Sequence, residues 1–410
     1  MLLYPLGLPE FVAHLARANL MSRRGRTGSQ DLMDGFIPEH TSTKQVGSDT
    51  HTSNSEKVMQ LLDQLLYARG ASGEEREVRT ICRAALQGSC DEVWSDEAGN
   101  LIGLIRSSSG SKNATLVLAH LDEIAMAVKR IEPDGTLRVV ALGGANPVNF
   151  GMCPVDIMAE DRSLPGVLSF GTMHATSESP QGIDAQKGNV QWKDVHVVTR
   201  MTPQELSHQG VRPGTRVVLS RHWRTPFKVG DAIAAHFMDD RAPILAVLQA
   251  ANALSQRRDE LLADVYFVCT TMEEETNAGA LFAAHHLPGA TAIAVEVGPV
   301  AAEYQTRLAA EPIVVAGDEK GHYTRSVTDA LIGACSAAGY DAQVALLIDF
   351  ASDASAILSA GAKGRAGCIA IPTENTHGFE IVIPEAITAC TQALVEYLVK
   401  NPRKSSAERL

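Results

Sequence analysis

Three consecutive carboxylates, Glu273, Glu274 and Glu275, follow the run "ADVYFVCTTM". That run is nearly continuous apolar sequence, the pattern of a strand covered on both faces in a parallel sheet. Such a strand delivers the carboxylates to its C-terminal end, the edge at which open α/β sheets bind ligands. Carboxylates crowded there repel one another unless something positive holds them, and a metal ion does so. A plainer account makes the cluster the first turn of a helix, where negative charge suits the dipole. Ligand-type residues recur in four more segments. "LVLAHLDE" carries His120 and Asp122, "HFMDDR" carries Asp239, Asp240 and Arg241, "AVEVG" carries Glu296, and "IPTENTHGFE" carries His377. Two histidines among carboxylates form a mixed N/O donor set that suits zinc, cobalt or manganese. Singly, each has a structural explanation: a strand-end His as a satisfied core residue, Asp-Asp-Arg as a helix cap with an ion pair, Glu296 as a paired core charge. Their joint occurrence in this order is hard to obtain by chance.

Positioning these residues requires an alternation of strands and helices. In "SEKVMQLLDQLLYARG", Val58, Leu61, Leu62, Leu65 and Leu66 fall on one helical face and Gly70 stops it. Ser72 and Glu75 read as a capping box before the helix "REVRTICRAAL". "ATLVLAHLDEIAMAVKRI" opens with a strand buried on both faces. From about 163 to 227 the texture changes to short β segments ("GVLSFG", "DVHVVTR", "TRVVLS") between Gly, Pro and polar turns. Alternation then resumes: helix "RAPILAVLQAANAL", strand 263–270, helix 278–286, strand "TAIAVEVG", a helix near 325–338, strand "GCIAIP" and the closing helix "PEAITACTQALVEYLVK". The expected architecture is an α/β/α sandwich with a mixed, mostly parallel central sheet, formed by 55–162 and 228–402 and interrupted by a small β-barrel over 163–227. Residues 1–54, Ser/Thr/Gly/Asp-rich after Met21, are expected to be disordered, and 403–410 to form a flexible tail.

The chain has 410 residues, 45% of them hydrophobic and 20% charged, so it can bury a large core. A net charge of −12 and a pI near 5.6 argue against a nucleic-acid surface and for a cytoplasmic protein. Nothing reads as membrane-spanning. The N-terminal "MLLYPLGLPEFVAHLARANL" lacks a basic start and is broken by Pro5, Pro9, Glu10 and Arg17, so it reads poorly as a signal peptide. Seven scattered cysteines form neither a disulfide framework nor a CxxC site.

The five segments resemble the glutamyl and tetrahedral aminopeptidase family, a branch of the dinuclear metallopeptidases related to zinc-dependent deacylases and carboxypeptidases. "AHLDEIA" is similar to that family's GHxDE-type motif, "MDDR" to its bridging-aspartate motif, "MEEETNAGA" to its double-glutamate motif and "IPTENTHGFE" to its last histidine motif. The β insert just before "MDDR" also fits. The resemblance implies a phosphorylase/hydrolase-like metallopeptidase fold with two divalent ions per chain, zinc first. It implies that Asp239 bridges both ions, that His120 and Glu296 complete one site, and that Glu274 and His377 complete the other. Asp122 would hydrogen-bond His120 and Glu273 would be the general base and acid, with Glu275 left as a solvated charge. Asp240 and Arg241 would support the ligands from behind, while Glu374, Asn375 and Asp353 would face substrate. A homo-oligomer, dimer-based and up to a dodecamer, is implied as well. The chain departs from the pattern at Glu296, where Asp is commoner, at Thr276, at "DFASDA" without Gly-Gly before Asp353, and at Glu374-Asn375 in place of an Arg-Tyr pair.

Two activities share this machinery. One is an aminopeptidase acting on short peptides; the other is a deacylase acting on N-acylated amino acids or dipeptides. Relatives labelled endoglucanases would need only two carboxylates and no metal. A catalytically silent assembly protein would be expected to have lost the base or a ligand, and here every position keeps a competent residue.

Overall fold

A computed structural model of the chain describes residues 54–109, 111, 113–172, 174 and 190–399. The expectations for 1–54, Asn54 apart, and for 403–410 lie outside the described residues. The helix Asn54–Tyr67 buries Leu62, Leu65 and Leu66 completely, and Arg76–Gln87 buries Val78, Cys82 and Leu86, one per turn. The expected capping box does not form. Ser72 Oγ donates instead to Asp122 Oδ2 at 2.6 Å, and Glu75 Oε1 accepts from the Gly73 amide at 2.6 Å. A buried ionised partner outcompetes an ordinary cap.

The main sheet runs Glu92–Ser95, Leu101–Ile105, Val265–Thr270, Thr115–His120, Thr291–Pro299, Arg365–Glu374, Glu380–Val382, Ala232–Ala235, Phe227–Val229. Ile313–Asp318 branches from Arg365–Glu374 and itself pairs with Gly321–His322 and Gln343–Leu347. Its centre is parallel: Val265–Thr270, Thr115–His120, Thr291–Pro299 and Arg365–Glu374 run the same way, and the flanking pairs are antiparallel. Strand residues alternate between two cores. Val117 and Ala119 face the helices Asn54–Tyr67, Arg76–Gln87, Met238–Ser255, Arg325–Ala337 and Pro384–Leu398, while Leu116 and Leu118 face Ala278–His286 and Asp353–Ser359. The sandwich is therefore covered on both sides, and the register Thr270↔His120 sets two strand ends together at the edge carrying the ligand-type residues.

A separate closed barrel runs Ala125–Ile131, Leu137–Leu142, His196–Val198, Ser163–Ser169, Pro154–Met158, Arg216–Leu219 and back to the first, around Met126, Val139, Val155, Ile157, Leu168, Val197 and Val217. It begins near 125, not at the boundary of 163 expected from sequence. The strand Ala125–Ile131 continues the apolar texture of Thr115–His120, which hid the passage from one core to the other. Among the described residues no helix is long and apolar enough to cross a membrane.

The barrel is tied to the first helices through Glu77, which accepts from Arg69 and, at 2.8 Å, from Arg221. Arg69 in turn reaches Asp156 and Ser163 of the barrel. Burial raises the Glu77 pKa, but the two guanidiniums outweigh it and bring it to about 2. A carboxyl depressed on folding contributes stability above its unfolded pKa that is lost as pH falls through the folded one. Glu77→Gln is therefore expected to cost about 1–3 kcal/mol at pH 7. The deficit should shrink between about pH 4.5 and pH 2 in urea melts of wild type and variant. An equal deficit at both ends of that range would refute the charge account.

Candidate metal centre

His120 closes its strand with its main chain fixed, the amide donating to Asp240 Oδ2 at 2.8 Å. Its ring Nδ1 lies 3.1 Å from the Asp122 carbonyl oxygen and 3.5 Å from Asp122 Oδ1. With Nδ1 carrying the proton toward Asp122, the Nε2 lone pair is turned into the site. There Nε2 lies 2.9 Å from Asp239 Oδ1, 3.8 Å from Glu296 Oε2 and 4.0 Å from Glu273 Oε2. The other oxygen of Asp239 lies 3.4 Å from His377 Nε2, which is 3.6 Å from Glu274 Oε2. Two groups result, His120/Asp239/Asp240/Glu296 and Asp239/Glu274/His377, each with candidate ligand atoms within 4.8 Å of one another. Asp239 is common to both.

The donor set fits divalent cations. Glu274 Oε1 and Asp240 Oδ1 are buried with no hydrogen-bond partner, an arrangement that leaves lone pairs for an ion. The electrostatics point the same way. Burial works against the charge on His377, yet Asp239 and Glu274 carry its pKa to about 10. His120 is raised too, because Asp240, Asp122 and Asp239 overcome its burial. Burial and then Asp239 push Glu274 up to about 7, while burial and neighbouring carboxylates raise Glu273 (Asp353, Glu274 and Asp122), Glu296 (Asp240, Glu273 and Asp239) and Asp240 (Asp239 and Glu273). Imidazoles and carboxylates that are raised together mark a site short of positive charge.

The double-glutamate loop is held amide by amide. Thr271 N donates to Asn100 Oδ1 at 3.0 Å, Met272 N to Glu75 Oε1 at 3.3 Å, Glu273 N to Asp122 Oδ1 at 2.9 Å and Glu274 N to Asp122 Oδ2 at 3.2 Å. Asp122 thus sets both the His120 ring and the two glutamates. Glu273 Oε1 accepts from Asn277 Nδ2 at 2.9 Å, leaving Oε2 toward His120. Glu275 is exposed. Phe237, Met272, Asn277, Asn375 and His377 all hold positive φ between 52° and 69°, a concentration of unfavourable backbone typical of functional sites.

The remaining candidate residues have partners outside the two ligand groups. Asp353, expected at the substrate, is 1% exposed and accepts from Thr270 Oγ1 and Asn277 Nδ2, behind Glu273. Asn375 is exposed but donates to the Phe379 carbonyl within its own turn, and Glu374 is half-buried at the end of its strand. Arg241 pairs not with Asp240 but with Glu123, at 2.6 Å, and Arg224 holds the same carboxylate; all three are fully buried. Sequence reasoning missed Glu380, whose two oxygens accept from the amides of Asp239 and His377, each at 3.0 Å. Its only signal was its place inside "IPTENTHGFE". It also missed the barrel's approach: Asn149 Nδ2 donates to the His377 carbonyl at 3.1 Å, and a Cβ on Gly144 would fall 2.4 Å from His377 Nδ1.

A three-layered α/β/α scaffold with a barrel insert and paired carboxylate–histidine groups beside its parallel strand ends defines a metallopeptidase-type architecture. The family model of M42 glutamyl aminopeptidase matches residues 99–393, and the chain belongs to that family. It is 28% identical over 240 residues to the lysyl aminopeptidase of Pyrococcus furiosus, covering 58% of this chain and 66% of that one, just under two thirds of its length. In fold it is similar to an aminopeptidase of the archaeon Desulfurococcus kamchatkensis, with a TM-score of 0.75 and 24% identity over 84% of this chain and 95% of that one. The TET1 peptidase of Pyrococcus horikoshii, which can assemble into a tetrahedron or a large octahedral shell, superposes with a TM-score of 0.73 and 20% identity over 84% of this chain and 100% of that one.

Proposed function

We propose that this chain is a dinuclear metal-dependent aminopeptidase that removes N-terminal residues from short peptides. The observation that carries this reading is the sharing of Asp239, with one oxygen toward His120 and the other toward His377, beside a half-buried Glu273. His120 and Glu296 would hold one ion, with Asp240 alongside, and Glu274 and His377 the other. Bound ions, zinc first and cobalt or manganese as substitutes, supply Lewis acidity that polarises a carbonyl and lowers the pKa of water. Glu273 Oε2 takes the proton from the attacking water and returns it to the leaving amine, while Asn277 holds Oε1 still. The chain would work in the cytoplasm as a homo-oligomer, the state described for the TET1 peptidase. Glu374, the half-buried carboxylate three residues before His377, is assigned to the substrate's end of the site.

The deciding experiment compares matched aminoacyl and N-acetyl-aminoacyl substrates on the metal-loaded protein. Turnover of free-amine substrates alone is expected; turnover of the acylated set alone would reassign the chain to the deacylases. Light scattering of the same preparation checks assembly, and a purely monomeric protein would remove that part of the reading. Gly144→Ala is expected to displace the His377 ring and to weaken ion uptake by about 10- to 100-fold in a calorimetric titration, the usual scale for losing support behind a ligand. Wild-type uptake in that variant would mean the barrel turn does not set His377.

A further inference from the structure

We propose that Glu75 and Asn100 are positioning residues for Glu273, acting through the main chain of the loop that carries it. This rests on the acid-base role given to Glu273 above. The loop starts and ends on left-handed residues that are not glycine, Met272 at φ 56° and Asn277 at φ 52°, so its shape must be imposed from outside. Asp122 fixes the amides of Glu273 and Glu274, and two further side chains fix the turn before them.

Glu75 is 1% exposed and sits at the start of a helix it does not cap. Its Oε1 holds the Gly73 and Met272 amides, and Arg79 Nη2 lies 3.4 Å from its Oε2. Asn100 is fully buried. Its Oδ1 accepts from Thr271 N at the loop's entry, and its Nδ2 donates to the Gly279 carbonyl at the loop's exit, at 2.9 Å, and to Asp96 Oδ2 at 2.7 Å. Close approach is built in, since a Cβ on Gly279 would fall 2.4 Å from Asn100 Oδ1. Asn100 therefore closes the loop like a clasp, and Glu75 pins the residue immediately before Glu273. Neither side chain is among the candidate ligands. Release of either lets the Met272 turn relax and swings the Glu273 carboxylate, which needs placement to better than about 1 Å for efficient proton transfer.

The test uses Glu75→Ala, Glu75→Gln and Asn100→Ala in the full chain, each alone and combined with Glu273→Gln, with kcat, KM, ions per chain and Tm measured for all. Glu75→Ala and Asn100→Ala are expected to lower kcat by about 10- to 100-fold at unchanged KM and unchanged metal content. Glu75→Gln, which keeps an acceptor for the Met272 amide, should recover most of that loss. In the Glu273→Gln background the same substitutions should have no further effect, because the group they position is gone. Unchanged kcat in both variants beside an inactive Glu273→Gln overturns the positioning role alone. So does a fall in kcat that tracks metal content or Tm and is not recovered in Glu75→Gln. An active Glu273→Gln removes the acid-base reading itself and this inference with it.

Discussion

Glu273→Gln is expected to lower kcat by about 10²- to 10⁴-fold, the range in which general acid-base groups contribute, with KM and metal content unchanged. The substitution keeps size and the hydrogen bond from Asn277 Nδ2 to one side-chain oxygen but replaces the oxygen facing His120 with an amide that cannot accept a proton. Glu274→Gln makes the contrast: its carboxylate faces His377 and has an unpartnered buried oxygen, so its loss should show first in ion content. The two neighbours thus separate by readout. A Glu273→Gln protein that turns over normally would remove Glu273 from the chemistry. Burial, then His120 and neighbouring carboxylates, govern the Glu273 pKa, with a net rise; cations beside it would draw it down toward the range useful to a base at neutral pH.

The parts of this arrangement legible in the sequence are those whose chemistry is unusual for their surroundings. His120 and Glu296 stand at or near the ends of strands that are otherwise apolar on both faces, and a charged residue there has few structural uses. The parallel centre was legible for the same reason. The barrel boundary was not, because apolar alternation in Ala125–Ile131 does not say which of two cores it faces. Nor was the clamp on the double-glutamate loop. Asn100 and Glu75 act 171 and 197 positions away from the amides they hold, and "DEAGN" reads locally as an ordinary turn. Ser72 and Glu75 do carry a signal, that of a helix cap, but both side chains belong to the site. Polar residues near a helix start look alike in sequence whether they serve the helix or something packed against it.

Asp239→Ala should abolish turnover by removing both ions, whereas His377→Ala should leave about one ion per chain. The asymmetry follows from the geometry: Asp239 faces His120 with one oxygen and His377 with the other, while the loss of His377 leaves His120, Asp239, Asp240 and Glu296 intact. Asp239 is itself held from behind, its amide donating to Glu380, which also holds the His377 amide, so the carboxylate is fixed relative to both groups. Without Asp239 the two histidines lose the anion between them, and the remaining carboxylates keep only the histidines as counter-charge. Ion content by mass spectrometry of the desalted protein checks the count, and thermal melts check it independently. An ion bound only by the folded state stabilises it by about 2.7 kcal/mol at a free concentration 100 times its dissociation constant. Wild type should therefore gain thermal stability on ion addition, His377→Ala should gain less, and Asp239→Ala should gain almost nothing. Retention of two ions by Asp239→Ala would mean that the two groups are separate sites, and a shared-carboxylate mechanism would fall with it.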